Sequence, residues 1–203
     1  MTERKHHWED VHSRKREDEV SWFQAQPETS LALITEGADA LASVIDIGAG
    51  ASRLVDALLA QGYRDVTVLD IASSALERAK ERLGVQAGEV TWQVADITRW
   101  LPARRYDVWH DRAVFHFLVE SADRDAYRRA ILHGTHPGSR VVIGTFAEDG
   151  PEKCSGLPVR RYSADELAAE LGPDFVLEKT LRDAHSTPGG NIQNFRFCAF
   201  RRV

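Results

Sequence analysis

Apolar residues along this chain come in short bounded runs, separated by longer stretches in which they recur every three or four positions. The run Val44-Ile45-Asp46-Ile47 reads as a buried strand and passes straight into a glycine-rich turn, Gly48-Ala49-Gly50-Ala51-Ser52. Residues 53–61 follow with Leu54, Val55, Leu58 and Leu59 on one face and Gly62 as a stop, the pattern of an amphipathic helix. A strand, a tight turn and a helix N-terminus in that order let the backbone approach a ligand.

The same alternation continues on both sides. Upstream, Pro27 suits a helix start, and Leu31, Ile34, Ala38 and Leu41 predict a helix from Glu28 with one apolar face. Downstream, a second strand (65–70) ends at Asp70 and leads to a helix beginning at Ser73 or Ser74. Ser74 with Glu77 fits a capping box, and Leu76, Ala79 and Leu83 form the buried stripe, closed by Gly84. A third strand (90–95) reaches Asp96, and a fourth (106–110) ends at Asp111 before the short apolar segment 113–118. A helix over 123–133, a strand over 139–146, a charged loop over 147–161 and a helix capped by Ser163-Ala164-Asp165-Glu166 come next. Two last strands, near 175–184 and 194–202, are joined by the turn Ser186-Thr187-Pro188-Gly189-Gly190-Asn191. The pattern predicts a doubly wound α/β fold: a mostly parallel, seven-stranded Rossmann-like sheet with a C-terminal antiparallel hairpin strand.

Composition changes this picture little. At 203 residues, 43% hydrophobic and 28% charged, the chain reads as one domain able to bury roughly 70% of its unfolded surface. We expect residues 1–27 to form an N-terminal arm or lid and residues 28–203 the core. A net charge of −5 offers no field for a phosphate backbone, so nucleic acid is not an expected partner. Cys154 and Cys198 are too few for a disulfide framework or a zinc site, and the adjacent His6-His7 point in different directions, so no metal is expected. The N-terminus has no apolar signal region and no run approaches bilayer length, so a cytoplasmic protein without a membrane partner is expected. Trp8, Trp22 and Phe23 stand out in the polar arm. Trp22-Phe23 either staples the arm to the core or closes over a ligand.

The candidate chemistry begins at Asp70, twenty residues after Gly50 and placed to accept hydrogen bonds from ribose hydroxyls. Two families put a glycine turn on the first strand and an acid on the second. A dinucleotide dehydrogenase wants G-x-G-x-x-G, but Arg53 stands where the third glycine belongs, and no tyrosine is followed four residues later by lysine. Asp46 before the first glycine, Asp70, Asp96 and the closing antiparallel strand together resemble the class I S-adenosylmethionine-dependent methyltransferases, over roughly residues 40–203. That resemblance implies S-adenosylmethionine as cofactor, its methionine part at Gly48 and Gly50, its ribose on Asp70 and its adenine amino group on Asp96, with Ile71 and Ile97 as adenine walls. Asp46, an acid inside an apolar strand, would offset its burial by binding the cofactor's amino group, directly or through water. Asp96 has a second reading, as the cap of the turn at Ile97-Thr98. Trp22 is a candidate cofactor contact from the arm.

Trp8-Glu9-Asp10-Val11-His12, with Trp22-Phe23, looks like the W-(D/E)-x-x-Y … W-(F/Y) opening of a methyltransferase branch that includes lysine methyltransferases of elongation factors and citrate synthase. His12 replaces the tyrosine of that pattern, and Asp111-Arg112-Ala113-Val114 stands where the branch has Asp/Glu-Lys-Gly-Thr. Methyl transfer from a sulfonium is an in-line displacement, and a base matters only if the acceptor arrives protonated. The candidates at the sheet mouth are Asp111, to steer the acceptor, and His110 and His116, each of which has a purely structural alternative. No Asp/Asn-Pro-Pro-Tyr/Phe motif follows the fourth strand, which counts against adenine or glutamine amide acceptors. Cys154 and Arg160-Arg161 lie in the loop where acceptor-specific elements commonly sit. The expected activity is methyl transfer to a small molecule or to a protein side chain such as a partner's lysine. The competing reading is a regulatory protein that binds S-adenosylmethionine without turnover.

Overall fold

The computed structural model describes residues 2–203. In chain order it contains α1 (Glu3–Arg14), α2 (Glu28–Thr35), β1 (Val44–Ile47), α3 (Leu54–Ala60), β2 (Val66–Asp70), α4 (Ser73–Leu83), β3 (Val90–Val94) and β4 (Tyr106–Arg112). There follow α5 (Ser121–Gly134), β5 (Thr135–Phe146), β6 (Lys153–Cys154), β7 (Leu157–Pro158), α6 (Ala164–Leu171), β8 (Phe175–Ser186) and β9 (Ile192–Arg202). The main sheet has seven strands, as the alternating pattern predicts, in the order β3-β2-β1-β4-β5-β9-β8. The first five pair in parallel, whereas β9 lies antiparallel between β5 and β8.

β1 is buried at all four positions because it lies centrally, with β2 and β4 on its flanks and helices over both faces. Its side chains alternate. Val44 joins a core with Leu33 and Ile34 of α2 and Leu54, Leu58 and Leu59 of α3, while Ile45 and Ile47 join the opposite core with Tyr127 and Ile131 of α5 and Leu167 of α6. By the same alternation Asp46 faces α2. The exchange of strand order at β1, between β2 and β4, opens the crevice in which open α/β sheets bind ligands.

Three local expectations are corrected. The helix from Glu28 ends at Thr35 rather than running through Leu41, which is 91% exposed. Gly37 turns the chain where a Cβ would meet Arg140 Cδ at 2.7 Å, and Asp39 accepts from the Leu41 N–H, so the chain bends into β1. Ser74 and Glu77 form no capping box: the N-cap of α4 is Ala72, which has no side-chain acceptor, and a carboxylate from α1 serves instead. β4 continues to Arg112, two residues past His110, so Asp111 pairs with Ile143 inside the sheet rather than ending the strand.

The loop after β5 is also more ordered than its composition suggests. β6 and β7 form a hairpin turning on Ser155 and Gly156, both left-handed at φ 50° and 80°. Among the described residues no helix is long and apolar enough to cross a membrane.

Candidate functional site

A cleft lies at the carboxyl ends of β1, β2 and β4, where open α/β sheets bind ligands. Its floor is the glycine turn. Gly48 and Gly50 are both left-handed, at φ 62° and 55°, and a Cβ on Gly48 would fall 1.9 Å from Val114 Cγ2. Only glycine allows the backbone to pass there. The Gly50 N–H donates to Asp70 Oδ2 at 2.7 Å, and the Ala72 N–H to Asp70 Oδ1 at 2.7 Å. The carboxylate thus ties the turn to the start of α4. Burial, with small additions from Asp46 and Glu9, still outweighs these bonds and lifts the Asp70 carboxyl to about 6.

The far end of the cleft is bounded by Ile71, Asp96 and Ile97. Asp96 Oδ1 accepts from the Thr98 N–H at 3.0 Å and the Thr98 hydroxyl at 2.7 Å. It therefore caps its own turn, as the second reading of the sequence expects, and also lines the cleft. Arg4 of α1 reaches the same oxygen at 3.4 Å and Asp123 at 2.5 Å.

Over the opening lies α1. Glu9 Oε1 accepts from the Ser73 N–H and hydroxyl, both at 2.8 Å, and Oε2 accepts from the Ser74 N–H at 3.1 Å. Burial pushes the Glu9 carboxyl up, but these donors prevail and hold it at about 2. Trp8, one turn before His12, packs edge-on against Phe117 at 5.0 Å and Trp22 at 5.9 Å. His12 sits over Gly50, with burial and Arg78 lowering its imidazole to about 4, so it is neutral. Trp8, His12 and Trp22 all line the cleft.

Of the residues singled out from sequence, Gly48, Gly50, Asp70, Ile71, Asp96, Ile97 and Trp22 line this cleft; Asp46, His110, Asp111 and His116 do not. Asp46 Oδ1 lies 2.6 Å from His110 Nδ1, and His110 Nε2 lies 2.9 Å from Ser30 Oγ on α2. The burial of Asp46 is thus offset by a histidine of the neighbouring strand. Its order of Asp, His and Ser is that of a hydrolytic triad, but each member is at most 2% exposed, so it works as a brace between sheet and helix. Asp111 accepts from the Val114 N–H at 2.9 Å, the Phe115 N–H at 3.2 Å and the Tyr127 hydroxyl at 2.8 Å. It organises the single 3-10 turn Phe115–Phe117 from below, its own carboxyl raised by burial to about 6. His116 is enclosed by Phe117 and Phe146, and burial, then Arg112, lowers it to about 3. These placements leave His110, Asp111 and His116 no contact with a molecule in the cleft.

Several lining residues carried too weak a sequence signal to enter the candidate set. Arg4, Trp8 and His12 are spaced four apart and so share a helix face, a pattern that nothing in the arm ties to the distant glycine turn. Arg112 was legible only as a departure from a motif, and Cys154 only as a lone cysteine. Both line the cleft. Burial raises the Cys154 thiol above its ordinary range, which keeps it protonated at neutral pH.

The residues fit S-adenosylmethionine as far as its chemistry demands: a glycine turn that admits a ligand, a carboxylate in the cleft wall whose oxygens have lone pairs beyond the two backbone bonds they accept, and an apolar end with an acid beside it. Residues 44–138 match the family model described as a methyltransferase domain. The fold is similar to that of an S-adenosylmethionine-dependent methyltransferase from Anabaena variabilis over 100% of this chain and 96% of the other, at TM-score 0.79 and 13% identity. It is similar over 98% and 84% to the 1,6-didemethyltoxoflavin-N1-methyltransferase of Burkholderia thailandensis, solved with 1,6-didemethyltoxoflavin and S-adenosylhomocysteine, at TM-score 0.72 and 21% identity. A third likeness, over 96% and 97%, is to the N-methyltransferase NodS of Bradyrhizobium japonicum in complex with S-adenosylhomocysteine, at TM-score 0.70 and 16% identity.

Proposed function

We propose that this chain, which carries the methyltransferase domain and fold of the class I S-adenosylmethionine-dependent enzymes, transfers a methyl group to a small-molecule acceptor held beneath α1. The observation that carries the choice of acceptor is the cover itself. Trp8, His12 and Trp22 of the arm line the cleft beside the glycine turn, which supports a small acceptor over a lysine on a folded partner, since the latter needs an open groove.

S-adenosylmethionine, when bound, supplies an electrophilic methyl on a sulfonium whose leaving group is neutral. Gly48 and Gly50 admit its amino-acid part, Asp70 accepts from the ribose hydroxyls, and Asp96 takes the adenine amino group between Ile71 and Ile97. Trp8, Trp22 and Phe117 exclude water and orient the acceptor, which is most of what an in-line displacement requires. No strong base borders the cleft: His12 is neutral and weakly basic, and Asp70 is committed to the turn. That suits an acceptor that arrives unprotonated.

The test is incubation with radiolabelled S-adenosylmethionine and a cell lysate split into metabolite and protein fractions. Label is expected in the metabolite fraction with S-adenosylhomocysteine above background. Label confined to one protein band would overturn the small-acceptor reading. Tight cofactor binding without any S-adenosylhomocysteine would favour the regulatory alternative.

A further inference from the structure

Arg112 is the last residue of β4 and borders two cavities, the main cleft and a smaller one of about 400 Å³ beneath Trp22 and Phe23. Its guanidinium is oriented firmly. Nη1 donates to the Trp22 carbonyl at 2.8 Å, and Cζ stacks 4.7 Å from the centre of the Phe195 ring. Nε and Nη2, by contrast, are buried and have no hydrogen-bond partner among the described residues. Those two atoms form the side edge of the guanidinium, where two N–H bonds run parallel at the spacing of a carboxylate's oxygens. Leaving two buried donors of one cation unpaired is costly. Burial lowers Arg112 to about 10, against the pull of Asp183, Cys154 and Asp46, so it stays cationic at neutral pH.

We propose that Arg112 anchors a carboxylate of the methyl acceptor through its Nε–Nη2 edge, so that the acceptor is an organic acid. The inference rests on the reading of the cleft as a methyl-transfer site and names its substrate class. A carboxylate in such a cleft has two sources, the acceptor or the amino-acid end of the cofactor. The smaller cavity that Arg112 borders is lined by Ala51 and Ser52 of the glycine turn, but the stacking of its guanidinium favours the acceptor. Phe195, on which the guanidinium lies, belongs to β9, two strands beyond β4 and on the side away from β1 and β2, which carry the glycine turn and Asp70. Cys154, on the β6–β7 hairpin, borders the same side of the cleft.

Calorimetry on the wild type, Arg112→Gln and Arg112→Lys separates the sources. S-adenosylhomocysteine and 5′-methylthioadenosine, which lacks the amino-acid part, are titrated into each. Both variants are expected to keep wild-type affinity for S-adenosylhomocysteine within threefold. The wild type loaded with S-adenosylhomocysteine is then titrated with phenylacetate and indole-3-acetate and with their primary amides. The acids are expected to bind at least tenfold more tightly than the amides, a preference that Arg112→Gln abolishes and Arg112→Lys, with charge but no fork, restores only in part. Two results would overturn the proposal: no preference for acid over amide in the wild type, which needs no variant to fold, or a tenfold loss of S-adenosylhomocysteine affinity in Arg112→Gln with 5′-methylthioadenosine unaffected. Failure of the wild type to bind S-adenosylhomocysteine at all would instead defeat the cofactor reading beneath it.

Discussion

Both oxygens of Asp70 accept backbone N–H bonds, yet burial still lifts its carboxyl to about 6. A ribose that donates its hydroxyls favours the ionised form, so proton and ligand compete for the same group. The sign follows. As pH falls through about 6 the ionised fraction shrinks, and affinity for S-adenosylhomocysteine is expected to fall about tenfold for each further unit. Asp70→Asn should weaken binding roughly 10- to 100-fold, the loss of charge-assisted hydrogen bonds, and should flatten that pH dependence. Titration calorimetry between pH 7.5 and 5 reads both effects; an unchanged affinity in Asp70→Asn would remove Asp70 from the ribose site. The place of Asp70 in the cleft was legible in the sequence because it depends on spacing along the chain, at the end of the strand next to the glycine turn. Asp111 was equally conspicuous but does not line the cleft. Its position depends on where β4 stops, and two further residues of pairing with β5 draw it inside the sheet.

At the scale of elements, α1 is joined to the core at three points: Arg4 to Asp96 and Asp123, Glu9 to the N-terminus of α4, and the carbonyls of Ser13 and Lys15 to Arg78. Glu9 satisfies N–H groups that Ala72 cannot cap, and its charge complements the helix dipole. Glu9→Ala should cost about 1 kcal/mol of docking, speed amide exchange over residues 3–14, and release S-adenosylhomocysteine roughly fivefold faster. Exchange mass spectrometry with stopped-flow release checks this, and unchanged exchange in α1 would show that Glu9 does not hold it. Because the Glu9 carboxyl is depressed to about 2, its contribution is present above its ordinary value of 4.5 and is lost only as pH falls through about 2. Acidification from 7.5 to 5 therefore leaves α1 docked, and the flattened profile of Asp70→Asn distinguishes a loss due to Asp70 from one due to Asp111, whose carboxyl also stands at about 6. The polar arm concealed this helix because what orders it is a carboxylate–helix contact between residues 64 and 65 apart.

For the molecule as a whole, β9 unites the two cores. Phe195, Phe197 and Ala199 face the core under α2 and α3, while Cys198 and Phe200 face the core under α5 and α6. Phe197 rests against Gly144 of β5, where a Cβ would meet its ring at 2.7 Å. Phe197→Ala should cost about 3–5 kcal/mol in urea denaturation, and a cost below 1 kcal/mol would mean that this core does not carry the sheet. The seven-stranded, mostly parallel sheet, the antiparallel ending and the glycine turn were determined by the sequence alone, because hydrophobic period, turn chemistry and strand–helix alternation act over a few residues and leave few permitted topologies. Tertiary structure alone decided which polar residues meet. It paired Asp46 with His110, drew Asp111 under a turn, laid His12 over Gly50, and left one edge of Arg112 without a partner. Such pairings depend on strand ends and helix docking between residues tens of positions apart, where a shift of one residue turns a side chain from the cleft to the core.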